Sequence, residues 1–211
     1  MLSWGVATTS VELVPGVRDA FGYYFEDASA QLADPRGTVV IDDGRRFLNR
    51  TRERYDVIVV DPPPPVEAAG SSLLYSREFH EAVRAHLNPG GIFQTWFPGG
   101  EPRIAAALAR AVVDVFPHVR AFRSIEGWGV HFLASAEPID SLSAGQILAR
   151  LPPRAGADLS EWSGARTAAD MERVIASELP VEALMTDRRS VVITDDRPYN
   201  EYFLLRRAAD P

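Results

Sequence analysis

The sequence contains no cysteine and no lysine. Without cysteine there is no disulfide, no thiol nucleophile and no thiolate metal site. Without lysine there is no Schiff-base amine and no phosphate-loop lysine, and all 22 basic residues are arginine. No apolar run approaches the roughly 20 residues of a membrane-spanning helix. The first residues, MLSWGVATTS, lack the basic start and long apolar middle of a signal peptide. A cytoplasmic protein is the expectation. Positive charge is also scarce. The formal net charge is −7, which argues against nucleic-acid binding, because that needs a basic face to neutralise phosphates. His80 and His86 lie six apart on one predicted helix and do not share a face. His118 and His131 have no acidic partner at ligand spacing, so no metal site is expected.

What is present suits a folded core. Apolar residues make up 46% of the 211 positions, which fits one ordinary domain over 1–211. Residues 6–14 (VATTSVELV) are rich in β-branched side chains and predict a strand. Helical spacing follows over 17–33, then a strand at 38–41 (TVVI), a short helix, and a strand at 56–60 (DVIVV). Ser76 is placed to cap a helix over 76–87. A strand at 92–97, a helix over 102–116 opened by Pro102, and two strands around Glu126-Gly127 complete a core over 1–137. Residues 138–190 read as mostly helical, and 191–211 as a tail packing on the core. Strand and helix alternate and the strands are short and apolar, which predicts an α/β fold with a parallel sheet covered by helices on both faces.

In such sheets ligands bind beyond the carboxyl ends of the strands. Those ends carry Glu12, Asp42-Asp43-Gly44, Asp61 and Trp96-Phe97. Glu12 suits the paired hydroxyls of a ribose, or simply the charge of a following helix N-terminus. Asp43 suits an adenine amino group, with Gly44 letting the backbone approach a flat ring; the same pair suits a capped turn into a helix. Asp61 stands where a nucleophile would arrive, before four prolines that stiffen the turn. A carboxylate there can hold an ammonium, take its proton and expose the lone pair. An aspartate before proline also starts turns. Tyr75, after the proline loop, suits either the wall of an amine pocket or the core. Asp195, Asp196 and Glu201 suit either added negative charge or, for the first two, a turn.

The ordered segments VELVPGV, VVIDDGRRFL, YDVIVVDPPPP and SLLYSREFHEAVRAHLNPGGIFQTWFP resemble the polyamine aminopropyltransferases, the spermidine and spermine synthase family. The tail TDDRPYNEYFLLRR resembles the ends of bacterial spermidine-synthase-like proteins that are often fused to membrane-spanning segments. The resemblance implies a Rossmann-like, class I methyltransferase-type sheet. It implies transfer of an aminopropyl group from decarboxylated S-adenosylmethionine to an amine such as putrescine, releasing methylthioadenosine. By position, Glu12 resembles the ribose-binding acid, Asp43 and Gly44 the adenine-contacting pair, and Asp61 the acceptor of the amine proton. Members of the family often form dimers, so a homodimer is implied.

The sequence departs from the family in three ways. The family has a second aspartate three residues after the first, and here that position is Pro64. The N-terminal β-hairpin region is missing. The glycine-rich first strand, which should precede VELVPGV, is missing too, leaving the neighbouring strands to find other partners. An N-terminally truncated chain is the expectation; the alternatives are a substitute strand from MLSWGVATT, or direct pairing of the neighbours. Asp61-Pro62-Pro63 also resembles the turn of S-adenosylmethionine-dependent amino methyltransferases, with Pro64 in place of their aromatic residue. A degenerate, non-catalytic nucleotide-binding relative is the third reading.

Overall fold

The computed structural model describes all residues except 63–64, 126, 164–166, 186–190 and 210–211. The chain divides into two compact units. One comprises Met1–Thr51 with Leu142–Glu172, the other Arg52–Ser141 with Arg173–Pro211. The helical stretch expected over 138–190 is thus shared between them.

The first unit holds a two-stranded parallel sheet, β1 (Thr8–Glu12) beside β2 (Gly37–Ile41). Between them run α1 (Pro15–Tyr24) and α2 (Ala28–Leu32). The single helix expected over 17–33 is broken at residues 25–27, where Phe25 turns to extended backbone (φ −125°, ψ 119°). α3 (Gly44–Arg50) follows β2 directly. α6 (Ala144–Arg150) and α7 (Pro153–Ser163) also belong to this unit. Ser143 caps α6 in a reciprocal capping box with Gln146, satisfying donors that the first turn leaves open.

The second unit holds five strands in the order β3-β4-β6-β5-β7. These are β3 (Tyr55–Val60), β4 (Leu87–Phe97), β5 (His118–Arg123), β6 (Val130–Ser135) and β7 (Glu178–Leu179). β3 and β4 are parallel, while β4–β6, β5–β6 and β5–β7 are antiparallel. The parallel expectation holds only for the pairs that a crossover helix joins, because a β5–β6 hairpin cannot connect parallel neighbours. α4 (Arg77–Ala85) makes the β3-to-β4 crossover, with Ser76 as its cap accepting from the Phe79 amide at 3.2 Å. Residues 88–91, between the helix expected over 76–87 and the strand expected at 92–97, sit inside β4 as a bulge, which shifts the register between Tyr55↔Leu87 and Val57↔Ile92.

α5 (Pro102–Val113) begins on its proline and buries Ile104, Ala107, Leu108, Ala111 and Val112 at helical spacing. Ile104, Ala107, Leu108 and Ala111 pack with Phe97, Ala121 and Phe132 from the sheet and with Ile193 and Phe203 from the tail. Each large apolar side chain removed from water contributes about 1.5–3 kcal/mol, so this unit carries the main core. α8 (Thr167–Ala176) and α9 (Phe203–Ala209) complete the helices described.

Met1 to Thr9 supply no complete substitute strand. Leu2–Trp4 is a single 3-10 turn, and β1 starts only at Thr8. Among the described residues β1 pairs with β2 within the first unit, and β3 with β4 within the second. Val57 and Val59 on β3 are 46% and 56% exposed, so one face of that apolar strand is uncovered.

Candidate active site

In the first unit, the parallel register sets Glu12 opposite Ile41, and the Asp42 amide donates to the Glu12 carbonyl at 3.1 Å. The two strand ends therefore stand side by side. One Glu12 carboxylate oxygen accepts from the Val14 amide at 2.8 Å, which closes the turn into α1. Asp43 is the N-cap of α3 and accepts from the Arg46 amide at 2.7 Å. Asp42 pairs with the Arg46 guanidinium, which holds its carboxyl below the usual range. A side chain at Gly44 would meet nothing within 4 Å. Packing therefore does not require glycine there, and the backbone is open to an approaching group. Glu12, with Thr8, Ser10, Phe21 and Val39, lines a cavity of about 240 Å³ that Asp43 and Gly44 do not line.

In the second unit, Val60 pairs with Thr95, so Asp61 leaves β3 where β4 reaches Trp96 and Phe97. Asp61 is exposed and makes no hydrogen bond or ion pair among the described residues. Tyr75 lies behind it, fully buried in the core, with its hydroxyl donating to the Trp96 carbonyl at 3.3 Å. Burial raises the Tyr75 pKa, and the negative charge of Asp61 raises it further. The phenol stays protonated, and the carboxylate is close enough to be felt. Pro64 lies outside the described residues.

Trp96 continues the rim. It meets Trp128 edge to face, with ring centroids 5.1 Å apart, and stacks on His131 at 6.3 Å. Gly129 makes this packing possible. Its φ is +81°, and a Cβ there would stand 2.6 Å from both the Phe97 carbonyl oxygen and the Trp96 indole nitrogen.

The tail proves to be part of the site's frame. Buried Asn200 donates to the Val66 carbonyl at 2.6 Å and to the Ser71 hydroxyl at 2.8 Å. Glu201 accepts from the Ser72 amide and hydroxyl. Asp195 accepts from the Ser76 hydroxyl at 2.6 Å, and Thr194 and Arg197 close the turn around Asp195-Asp196. These bonds clamp the loop that follows Asp61. Sequence reasoning saw the turn but missed the clamp; the polar pair Asn200-Glu201 beside a tyrosine-rich end was the available signal.

The strand-end acids thus fall into two sets, Glu12 with Asp42 to Gly44 in one unit and Asp61 in the other. The spermine/spermidine synthase domain profile matches residues 7–120, which covers β1 to β4, the start of β5 and all these acids. The chain belongs to the spermine/spermidine synthase family. Its relatives include polyamine aminopropyltransferase 2 of Hyperthermus butylicus, 31% identical over 169 residues, covering 76% of this chain and 53% of that one. The polyamine aminopropyltransferase of Saccharolobus islandicus is 30% identical over 144 residues, covering 65% and 47%. The chain spans about half the length of these curated relatives. Among solved structures, spermidine synthase from Thermotoga maritima superposes with a TM-score of 0.57 at 21% identity, over 84% of this chain and 60% of that one. Human methyltransferase-like protein 13 in complex with SAH gives 0.55 at 19%, over 80% and 70%. The family fold is therefore the methyltransferase-type α/β fold expected from the sequence. Among the described residues, no helix is long and apolar enough to cross a membrane.

Proposed function

We propose that the chain is an aminopropyltransferase, transferring the aminopropyl group of decarboxylated S-adenosylmethionine to a small amine such as putrescine. The observation that carries this reading is Asp61, an exposed carboxylate without a protein partner among the described residues, at the carboxyl end of β3 in a chain of this family. Asp61 holds the incoming ammonium and takes one of its protons. The freed nitrogen lone pair attacks the aminopropyl carbon next to the sulfonium. The carbon–sulfur bond breaks, its electron pair stays on sulfur, and methylthioadenosine leaves. Tyr75 stays in the core behind the rim, where its hydroxyl bonds the Trp96 carbonyl and supports the fold rather than the reaction.

Roles for the first unit's acids follow from the same reading. After one Glu12 carboxylate oxygen takes the Val14 amide, the other, without a partner among the described residues, would meet the ribose hydroxyls. Asp43 and the open backbone of Gly44 would meet the adenine. A homodimer in the cytoplasm is the setting proposed, with no nucleic-acid partner, which the net charge of −7 supports.

The test is methylthioadenosine formation from decarboxylated S-adenosylmethionine and putrescine, with Asp61→Asn as the control. Loss of a positioned general base lowers kcat by about 10²–10⁴-fold. No methylthioadenosine with any amine would reject the reading. A methylated amine formed from S-adenosylmethionine would replace it with methyl transfer. Absence of binding to every adenosyl compound would identify a non-catalytic relative.

A further inference from the structure

Six residues after Asp61, the same loop carries Glu67. Its backbone is held on both sides. Val66 is buried, and its carbonyl accepts from Ser71 and Asn200, each at 2.6 Å. The carbonyl of Glu67 itself accepts from the Tyr202 amide at 2.9 Å. The Glu67 side chain is half-buried and lies against the turn that follows β4. A Cβ built on Gly100, whose φ is +132°, would stand 3.6 Å from Glu67 Oε1.

The other carboxylates around this end of the unit are in use. Glu201 takes the amide and hydroxyl of Ser72. Asp195 takes the Ser76 hydroxyl, and Glu78 takes the Asp195 amide at 3.0 Å. Glu101 pairs with Arg207 at 2.8 Å. Asp61 and Glu67 differ: neither side-chain carboxylate makes a hydrogen bond or ion pair among the described residues. A partly desolvated carboxylate with no donor is costly, and a cation that reaches it recovers that cost.

We propose that Glu67 is the second carboxylate of the acceptor site. Asp61 receives the reacting nitrogen, and Glu67 receives the ammonium at the far end of a diamine. This rests on the aminopropyl-transfer reading. Pro64 occupies the position where the family pattern has its second acid and carries no charge. Glu67, three residues further on, returns that charge from a position the tail holds in place. No bond forms or breaks at Glu67, so its effect falls on substrate binding and KM, not on kcat.

Putrescine and butylamine share the same carbon chain and differ only in the second amine, so together they isolate the contact. The experiment titrates each calorimetrically into the 211-residue chain, its Glu67→Gln variant and its Glu67→Asp variant, at low salt. One charge-assisted contact corresponds to about tenfold in affinity. The intact chain should bind putrescine about tenfold tighter than butylamine by that measure. Glu67→Gln should bring putrescine down to butylamine, leave butylamine unchanged, and keep the thermal midpoint, because the Glu67 carboxylate has no donor to lose among the described residues. Glu67→Asp should keep part of the preference. Putrescine binding that is indifferent to Glu67→Gln, or equal or absent binding of the two amines by the intact chain, overturns the proposal. Methylthioadenosine release, measured in parallel, reads the transfer reaction separately. Its absence with the binding pattern intact rejects the reaction and keeps the diamine site. Its presence with no dependence on Glu67 rejects the diamine site and keeps the reaction.

Discussion

Tyr75 and Gly129 sit within the same rim and do different work. The Tyr75 hydroxyl makes one long hydrogen bond, 3.3 Å, to the Trp96 carbonyl from a fully buried ring. Tyr75→Phe removes that bond and leaves the packing, so it should lower stability by about 1 kcal/mol. Chemical denaturation measures the loss. Methylthioadenosine formation should stay near the wild-type rate, because a residue behind the rim does not touch the amine; a large fall in kcat would put the phenol in direct contact with substrate. Gly129→Ala is the harsher change. A Cβ would collide with the Phe97 carbonyl and the Trp96 indole at 2.6 Å, on a backbone of φ +81°. Either the hairpin or the tryptophan must move, at a cost of roughly 1–3 kcal/mol. The near-ultraviolet circular dichroism of the Trp96–Trp128 pair should change with it, and an unaltered signal would show that the turn absorbs the methyl group.

At the scale of elements, neighbouring strands respond differently because their faces are covered differently. Phe93 on β4 is fully buried and stacks on Phe116 at 5.7 Å, so Phe93→Ala should cost about 3–5 kcal/mol. Val59 on β3 is 56% exposed, and Val59→Ala should stay within about 0.5 kcal/mol. Urea midpoints of the two variants test the contrast; equal losses would mean that β3 is covered in solution. The sequence showed both as apolar strands and could not separate them. Periodicity reports which residues favour a strand, whereas burial depends on what packs against it. The same limit explains other differences. The Ser76 cap and the Pro102 start were legible because caps are local chemistry. β7 is two residues long and exists only by pairing with β5, so no local pattern announces it. Asp61 was legible as a strand-end acid. The role proposed for Glu67 was not, because it rests on a carboxylate left without a donor among the described residues once Glu201, Asp195 and Glu101 have found theirs.

Across the whole molecule, acid should act in two stages. His80 is fully buried between Phe79 and Phe93, and among the described residues neither ring nitrogen has a partner in hydrogen-bonding geometry. Burial lowers its pKa from 6.5 to about 4, an effect that the nearby Ala111 backbone partly offsets. The unfolded chain therefore binds this proton at a pH where the folded chain does not. Stability is complete above about pH 6.5, falls as the pH drops towards 4, and stops falling on this account below that. A shift of this size is worth about 3 kcal/mol. The second stage belongs to carboxylates. Asp34 is held at about 2 by its bonds from Arg36, and Asp42 and Glu178 are lowered by Arg46 and Arg120. Their contributions are present above their ordinary carboxylate values and are lost only as the pH falls through their lowered ones. His80→Leu, close in volume and unable to take a proton, separates the stages. Thermal midpoints followed by circular dichroism from neutral pH to about 4 should decline for the wild type and stay nearly level for His80→Leu, with both falling at more acid pH. A variant that declines in parallel with the wild type over the upper range would assign that stage to another group. In that case the buried ring would have found, on protonation, an acceptor that the folded core does not offer it when neutral.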